Sequence, residues 1–183
     1  MQYKLSHPFQ GGPGNAGVDY VLESGYDALV PVVGTNFDLV GFDPRGIGRS
    51  IPAANCSASS TNTSLRRRAF GLYGPELSSL YWDQTLESAK EFGAQCETAI
   101  GGPDGAGTHM STAVVATDML SIVDAFASTD KGKAVEDSSL LNYWGISYGT
   151  FIGESFASMY PDRVGRVALD GILSFLLLEK LPL

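Results

Sequence analysis

Positive charge, long apolar runs, cysteine and histidine are all scarce in this 183-residue sequence. Twelve Lys and Arg stand against 20 Asp and Glu, a net charge of −8, which argues against nucleic acid as a partner. The one basic run, Arg66-Arg67-Arg68, is read as a solvated helix face. The stretch Ile172 to Leu178 is far shorter than the roughly 20 apolar residues a membrane-spanning helix needs, so no membrane span is expected. Met1 to Pro8 contains no apolar core of a signal peptide, and nothing here directs the chain to secretion. Cys56 and Cys96 either pair or lie buried as separate thiols. A bond between them would close a loop worth about 3–4 kcal/mol, mainly through the unfolded state. Asn55-Cys56-Ser57 and Asn62-Thr63-Ser64 match glycosylation acceptor patterns, which also arise by chance.

A hydrophobic content of 44% is enough to bury one domain's core, or most of one, and 22 glycines suggest several tight loops. The most informative segment is Leu140 to Gly149, where an apolar strand enters the pattern G-x-S-x-G and Thr150 to Tyr160 reads as a helix. This is the pattern of a nucleophile elbow, a sharp strand-to-helix turn that lifts a serine above the sheet. The turn demands residues without bulk two positions either side of Ser147, and Gly145 and Gly149 satisfy it. Gly11-Gly12-Pro13-Gly14 follows a strand ending before Gln10. A glycine turn there can offer a backbone N–H to a developing oxyanion, and the N–H of Tyr148 is the expected second donor.

Strand and helix alternate along the rest of the chain, which predicts an α/β fold with a mainly parallel sheet. A helix is expected within Val18 to Val32 and a buried strand over Phe37 to Phe42, closed by Asp43-Pro44. From about 51 to 110 the composition turns to Ser, Thr, Asn and Gly. This segment reads as an insertion over one edge, with Leu77, Leu80, Phe92 and Cys96 at helix-like spacing. Ser111 or Thr112 is expected to cap a helix with Val115, Met119, Ile122 and Phe126 on one face, followed by a polar loop over 128–139. Val164 to Leu169 reads as a further strand. In Asp43-Pro44-Arg45-Gly46-Ile47-Gly48-Arg49-Ser50, the Asp and Arg are expected to tie the loop to itself rather than act in catalysis. Asp118 and Asp124 read as solvated-face or helix-end residues, and Glu154, which could sit near the sheet, as an exposed helical acid.

G-G-P-G, D-P-R-G-I-G-R-S, Y-W-G-I-S-Y-G-T and P-D-R-V-G-R-V-A-L-D-G, in that order, resemble the α/β-hydrolase peptidases that include tripeptidyl and prolyl aminopeptidases. The resemblance runs from about Phe9 to Gly171. It implies an α/β-hydrolase fold with helices on both faces of the sheet, Ser147 as nucleophile, and an oxyanion hole from Gly12 and Tyr148, with Gly11, Gly14, Gly145 and Gly149 supporting the turns. It also implies no metal or organic cofactor and a peptide or small ester or amide substrate. The Tyr-Trp before the elbow and the Ser/Thr-rich insertion lean toward the tripeptidyl branch, whose members are often secreted.

The sequence departs from the family pattern after the elbow. The fold's triad runs Ser, then Asp or Glu, then His, yet no histidine follows Ser147. Asp162 and Asp170 do follow it, but both precede the position expected of the acid. His7 lies five residues before Gly12, roughly 16 Å down the sheet at ~3.3 Å per residue, out of reach. His109 is a weak surrogate base. Residues 172–183 look foreign to the pattern, in place of a substrate cap, and two strands expected before the first are missing. The expectation is therefore a partial α/β-hydrolase domain over 1–171, incomplete at both ends. Either the complete gene product supplies acid, base and cap, or the chain is a non-catalytic remnant.

Overall fold

The structure, a computed structural model, describes residues 4–9, 12, 14–56 and 79–172, with 4–9 and 79–81 described by backbone alone. Strand β1 (Lys4–Phe9) pairs in parallel with β2 (Phe37–Leu39) on one side and with β3 (Leu141–Ile146) on the other. Strand β4 (Val164–Asp170) pairs in parallel with β3, completing the order β2-β1-β3-β4. The chain steps outward from β1 to β2, then returns to the far side of β1 for β3. Such a reversal opens a crevice at the C-terminal ends of the strands on either side of it, here β1 and β3.

The chain forms two compact units, one made of residues 1–51 with 110–183 and the other of residues 52–109. In the first, β3 alternates as a half-buried strand should: Leu141, Tyr143 and Gly145 are buried, while Asn142, Trp144 and Ile146 face the other way. The buried face packs against helix α4 (Thr112–Ser128) and helix α6 (Tyr148–Met159). Val115, Ala116, Met119 and Val123 of α4 interlock with Ile152 and Phe156 of α6 at helical spacing. Ile122 and Phe126 are half-buried, so the core stripe is rotated from the expected one toward Ala116 and Val123. On the other face, Asn142 and Trp144 join Arg166 and Ala168 of β4 in an open trough bordered by Val32, Val33 and Phe37. A bulge in β4 keeps Val164 and Leu169 on the core side: Leu141 pairs with Val164, but Tyr143 pairs with Val167.

Several elements differ from their sequence expectation. The single helix expected within Val18 to Val32 is α1 (Gly17–Ser24), a π-helical stretch over Gly25–Leu29 and a last turn, α2 (Val30–Val33). Pro31 lacks the N–H that a continuing α-helix needs and crowds the carbonyl one turn back, and the widened stretch precedes it. Strand β2 is shorter than expected and half-buried, because the chain at Gly41 and Phe42 turns from the ladder to meet α1. A Cβ on Gly17 would lie 2.2 Å from the Phe42 carbonyl oxygen, and one on Gly41 2.3 Å from that of Gly17. The expected loop over 128–139 holds a short helix, α5 (Asp130–Lys133), capped by Thr129 Oγ1, which accepts from the Gly132 N–H at 3.0 Å. Ser111 caps α4 by accepting from Val114 N–H at 3.4 Å.

The 52–109 unit holds helix α3 (Ser79–Ile100) and a 3₁₀ turn over Ala106–His109. Cys56 and Cys96 form a disulfide with Cα atoms 4.5 Å apart, which settles the choice that sequence left open. Leu77, Arg66 to Arg68, the second glycosylation pattern and residues 173–183 lie outside the described residues.

Candidate active site

Ser147 occupies the single residue between β3 and α6, with φ 53° and ψ −117°. Among the described residues, Asp137 is the other non-glycine with positive φ. Such a conformation costs about 1–3 kcal/mol and persists where the surroundings over-determine it. Ser147 N–H donates to the Asp170 carbonyl at the end of β4 at 2.9 Å, and the Ser147 carbonyl accepts from Thr150 N–H at 2.9 Å and Thr150 Oγ1 at 2.7 Å. Gly145 is required by contact: a Cβ there would lie 2.4 Å from the Gly149 carbonyl oxygen. The Tyr143 hydroxyl donates to that same oxygen at 2.7 Å. Tyr143 is 2% exposed, and burial, reinforced by Tyr148, pushes its phenol well above the ordinary tyrosine range. It is therefore a permanent hydrogen-bond donor at working pH.

Tyr148 begins α6, two residues earlier than sequence suggested. Its N–H is one of the helix's unpaired N-terminal donors, at the positive end of the helix dipole. Its hydroxyl shares a hydrogen bond with Thr112 Oγ1 at 2.9 Å, tying the start of α6 to the start of α4, and its ring lies 6.1 Å from Phe151. Gly12 lies on the loop leaving β1. A Cβ there would meet Gly14 N at 2.8 Å and Asn15 N at 3.2 Å, and Gly14 has φ 107°. Gly11 and Pro13 lie outside the described residues. Because Phe9 of β1 pairs with Gly145 of β3, the Gly12 loop and the Ser147 turn leave neighbouring strands at the same edge, beside the crevice.

The loop after β2 is tied to itself through Asp43, as expected, but its arginine side chains reach outside it. Asp43 and Arg45 do not pair with each other. The Asp43 carboxylate accepts from Val18 N–H at 3.0 Å and Arg49 N–H at 2.9 Å, which draws the loop onto α1. Arg45 instead grips Asp118 of α4 through two bonds of 2.7 and 2.8 Å, and Arg49 bonds Asp19 at 2.6 Å. Asp118 is thus half-buried in an ion pair rather than simply solvated, whereas Asp124 is exposed as expected and also pairs with Arg163. Glu154 is half-buried, because its position on α6 faces neither the core nor open solvent fully.

His7 lies opposite Tyr143 in the β1–β3 ladder, below the edge that carries Ser147. His109 is exposed at the end of the 3₁₀ turn, in the 52–109 unit. Asp162 is exposed in the 3₁₀ turn Pro161–Arg163, and Asp170 contributes a backbone carbonyl to Ser147. Among the described residues no three His, Cys, Asp or Glu side chains gather as metal ligands, and no helix is long and apolar enough to cross a membrane. Sequence reasoning missed Tyr143, Thr150, Thr112 and the Asp170 carbonyl. Tyr143 had a signal: a tyrosine on the core face of a strand needs a partner for its hydroxyl.

A parallel sheet, a strained serine at its strand-to-helix turn and a glycine loop on the adjacent strand define the α/β-hydrolase architecture, and the chain belongs to the α/β-hydrolase fold family, whose model matches residues 9–182. Relatives include serine protease Hip1 of Mycobacterium tuberculosis, 36% identical over 161 residues that cover 88% of this chain and 28% of that protein. Tripeptidyl aminopeptidase of Streptomyces lividans is 28% identical over 167 residues, 90% of this chain and 27% of the relative. Carboxylesterase B of Mycobacterium tuberculosis is 40% identical over 70 residues, 36% of this chain and 12% of the relative. The chain thus spans under a third of the length of the relatives it matches.

Proposed function

We propose that this chain is the nucleophile-bearing part of a serine hydrolase of the aminopeptidase type, which releases N-terminal residues or tripeptides through an acyl-enzyme on Ser147. The observation that carries the reading is the conformation of Ser147, a strained non-glycine residue at the one turn where a serine is presented above a parallel sheet. In this reaction Ser147 Oγ adds to the substrate carbonyl carbon as its proton passes to a base. The carbonyl oxygen becomes an oxyanion that accepts hydrogen bonds from the N–H groups of Gly12 and Tyr148. Collapse expels the amine with the returned proton and leaves the acyl group on Ser147, which water then removes. The two relatives that align over most of the chain carry peptidase names, which favours a peptide substrate, whereas the one named carboxylesterase aligns over 36% of it.

The test is labelling of the purified chain with a fluorophosphonate, alongside turnover of tripeptidyl and aminoacyl substrates, for the wild type, Ser147→Ala and His109→Ala. With no histidine after Ser147, turnover should sit near background, because losing one triad member costs several orders of magnitude. Slow labelling should survive and vanish in Ser147→Ala. Labelling that ignores Ser147→Ala overturns the nucleophile assignment. No labelling at all favours a non-catalytic remnant, and robust turnover abolished by both variants makes His109 the base.

A further inference from the structure

Two peptide units around the elbow are held end to end by hydrogen bonds. In a trans peptide the C=O and the following N–H point in opposite directions, so whatever fixes one aims the other. The Tyr143 hydroxyl donates to the Gly149 carbonyl at 2.7 Å, and the N–H on the far end of that peptide, of Thr150, donates to the Ser147 carbonyl at 2.9 Å. The same Ser147 carbonyl accepts the Thr150 hydroxyl at 2.7 Å. The N–H on the far end of the Ser147 peptide is that of Tyr148, the candidate oxyanion donor.

We propose that Tyr143 and Thr150 are positioning residues of the oxyanion hole, aiming and polarising the Tyr148 N–H through the Gly149–Thr150 and Ser147–Tyr148 peptides. The proposal rests on the hydrolase reading for its catalytic meaning, but the relay itself is a property of the folded chain. Two observations show that the relay is built in rather than incidental. Thr150 is fully buried, so its hydroxyl has no water to exchange with, and Tyr143 sits in the core with its ring filling the space that Gly145 and Gly153 leave open. Cβ atoms at those glycines would lie 2.7 and 2.8 Å from the Tyr143 ring. Hydrogen bonds in such chains polarise one another in a low-dielectric interior, so a carbonyl that accepts twice makes the N–H of its own peptide a stronger donor.

The test uses the full chain labelled with ¹⁵N-tyrosine, reading the Tyr148 amide proton shift together with the fluorophosphonate labelling rate of Ser147. Thr150→Val keeps the shape and removes the hydroxyl; it should move the Tyr148 amide proton upfield and slow labelling on the order of 10-fold, a fraction of the loss from deleting a donor outright. Thr150→Ser restores the hydroxyl and should return both values toward wild type, a rescue that a purely structural role would not produce. Tyr143→Phe, one peptide further away, should give a smaller change of the same sign, and it carries the test if Thr150→Val does not fold. An unmoved Tyr148 amide in the folded variants overturns the relay. Labelling that occurs at the same rate in wild type and both variants also overturns it while leaving the hydrolase reading intact. An amide that moves in a chain that never labels leaves the relay standing and removes the hydrolase reading.

Discussion

Replacing Gly145 with alanine tests whether the elbow is held by backbone contact. The added Cβ would lie 2.4 Å from the Gly149 carbonyl oxygen, 2.6 Å from its carbon and 2.7 Å from the Tyr143 ring. Non-bonded atoms favour about 3.5–4.0 Å, so the Gly149 carbonyl would have to retreat by about 1 Å. It cannot do so freely, being the first-turn carbonyl of α6 and the acceptor of the Tyr143 hydroxyl. Overpacking costs about 1–3 kcal/mol, and stretching the buried Tyr143 bond adds about 0.5–1.5 kcal/mol. The expected loss is about 1.5–4.5 kcal/mol, a large share of the roughly 5–15 kcal/mol that holds a typical domain. Urea unfolding followed by Trp144 fluorescence, in a Trp82→Phe background, reads it directly. With a slope of about 1–3 kcal/mol per molar urea, the midpoint should fall by roughly 1 M or more. Gly93→Ala makes the same chemical change inside α3, where nothing lies within 4 Å, and should be neutral or stabilising by about 0.5–1 kcal/mol. A Gly145→Ala midpoint equal to wild type would refute the reasoning, since the elbow would then relax around a side chain.

Alkaline pH should weaken the fold through Tyr143. Its phenol is raised in the folded chain, so above about pH 10 the unfolded chain gives up this proton while the folded one keeps it, and stability falls by about 1.4 kcal/mol per pH unit. The stability advantage of wild type over Tyr143→Phe should hold below pH 10 and shrink above it; a gap that stays constant in urea melts across that range contradicts the assignment. Reduction of Cys56–Cys96, which closes a separation of 40 residues, should destabilise the 52–109 unit by about 3–4 kcal/mol. Far-UV circular dichroism of α3 through urea, with and without reductant, measures this, and identical midpoints would show that the bond contributes nothing.

The sequence by itself determined those features that depend on short-range backbone demands. Gly145, Ser147 and Gly149 declare the elbow because a sharp strand-to-helix turn excludes bulk at fixed offsets from its centre, whatever surrounds it. The alternation of strand and helix likewise declares the parallel sheet, since each parallel crossover needs a covering segment. Tertiary structure decided the partners and the ends of elements. Arg45 reaches Asp118 across 73 residues of sequence rather than Asp43 two residues away, and no local pattern encodes that choice. Strand β2 stops at Leu39 because Gly17 and Gly41 bring two backbones into contact, a condition set by how α1 docks. The same holds at the nucleophile. The motif names Ser147, but its N–H is held by the carbonyl of Asp170 and its outer peptides by Tyr143, and those bonds exist only once β4 lies beside β3 and α6 folds back over the sheet. Local sterics can be read along a chain, whereas hydrogen-bond partners are fixed by which surfaces the packed core brings together.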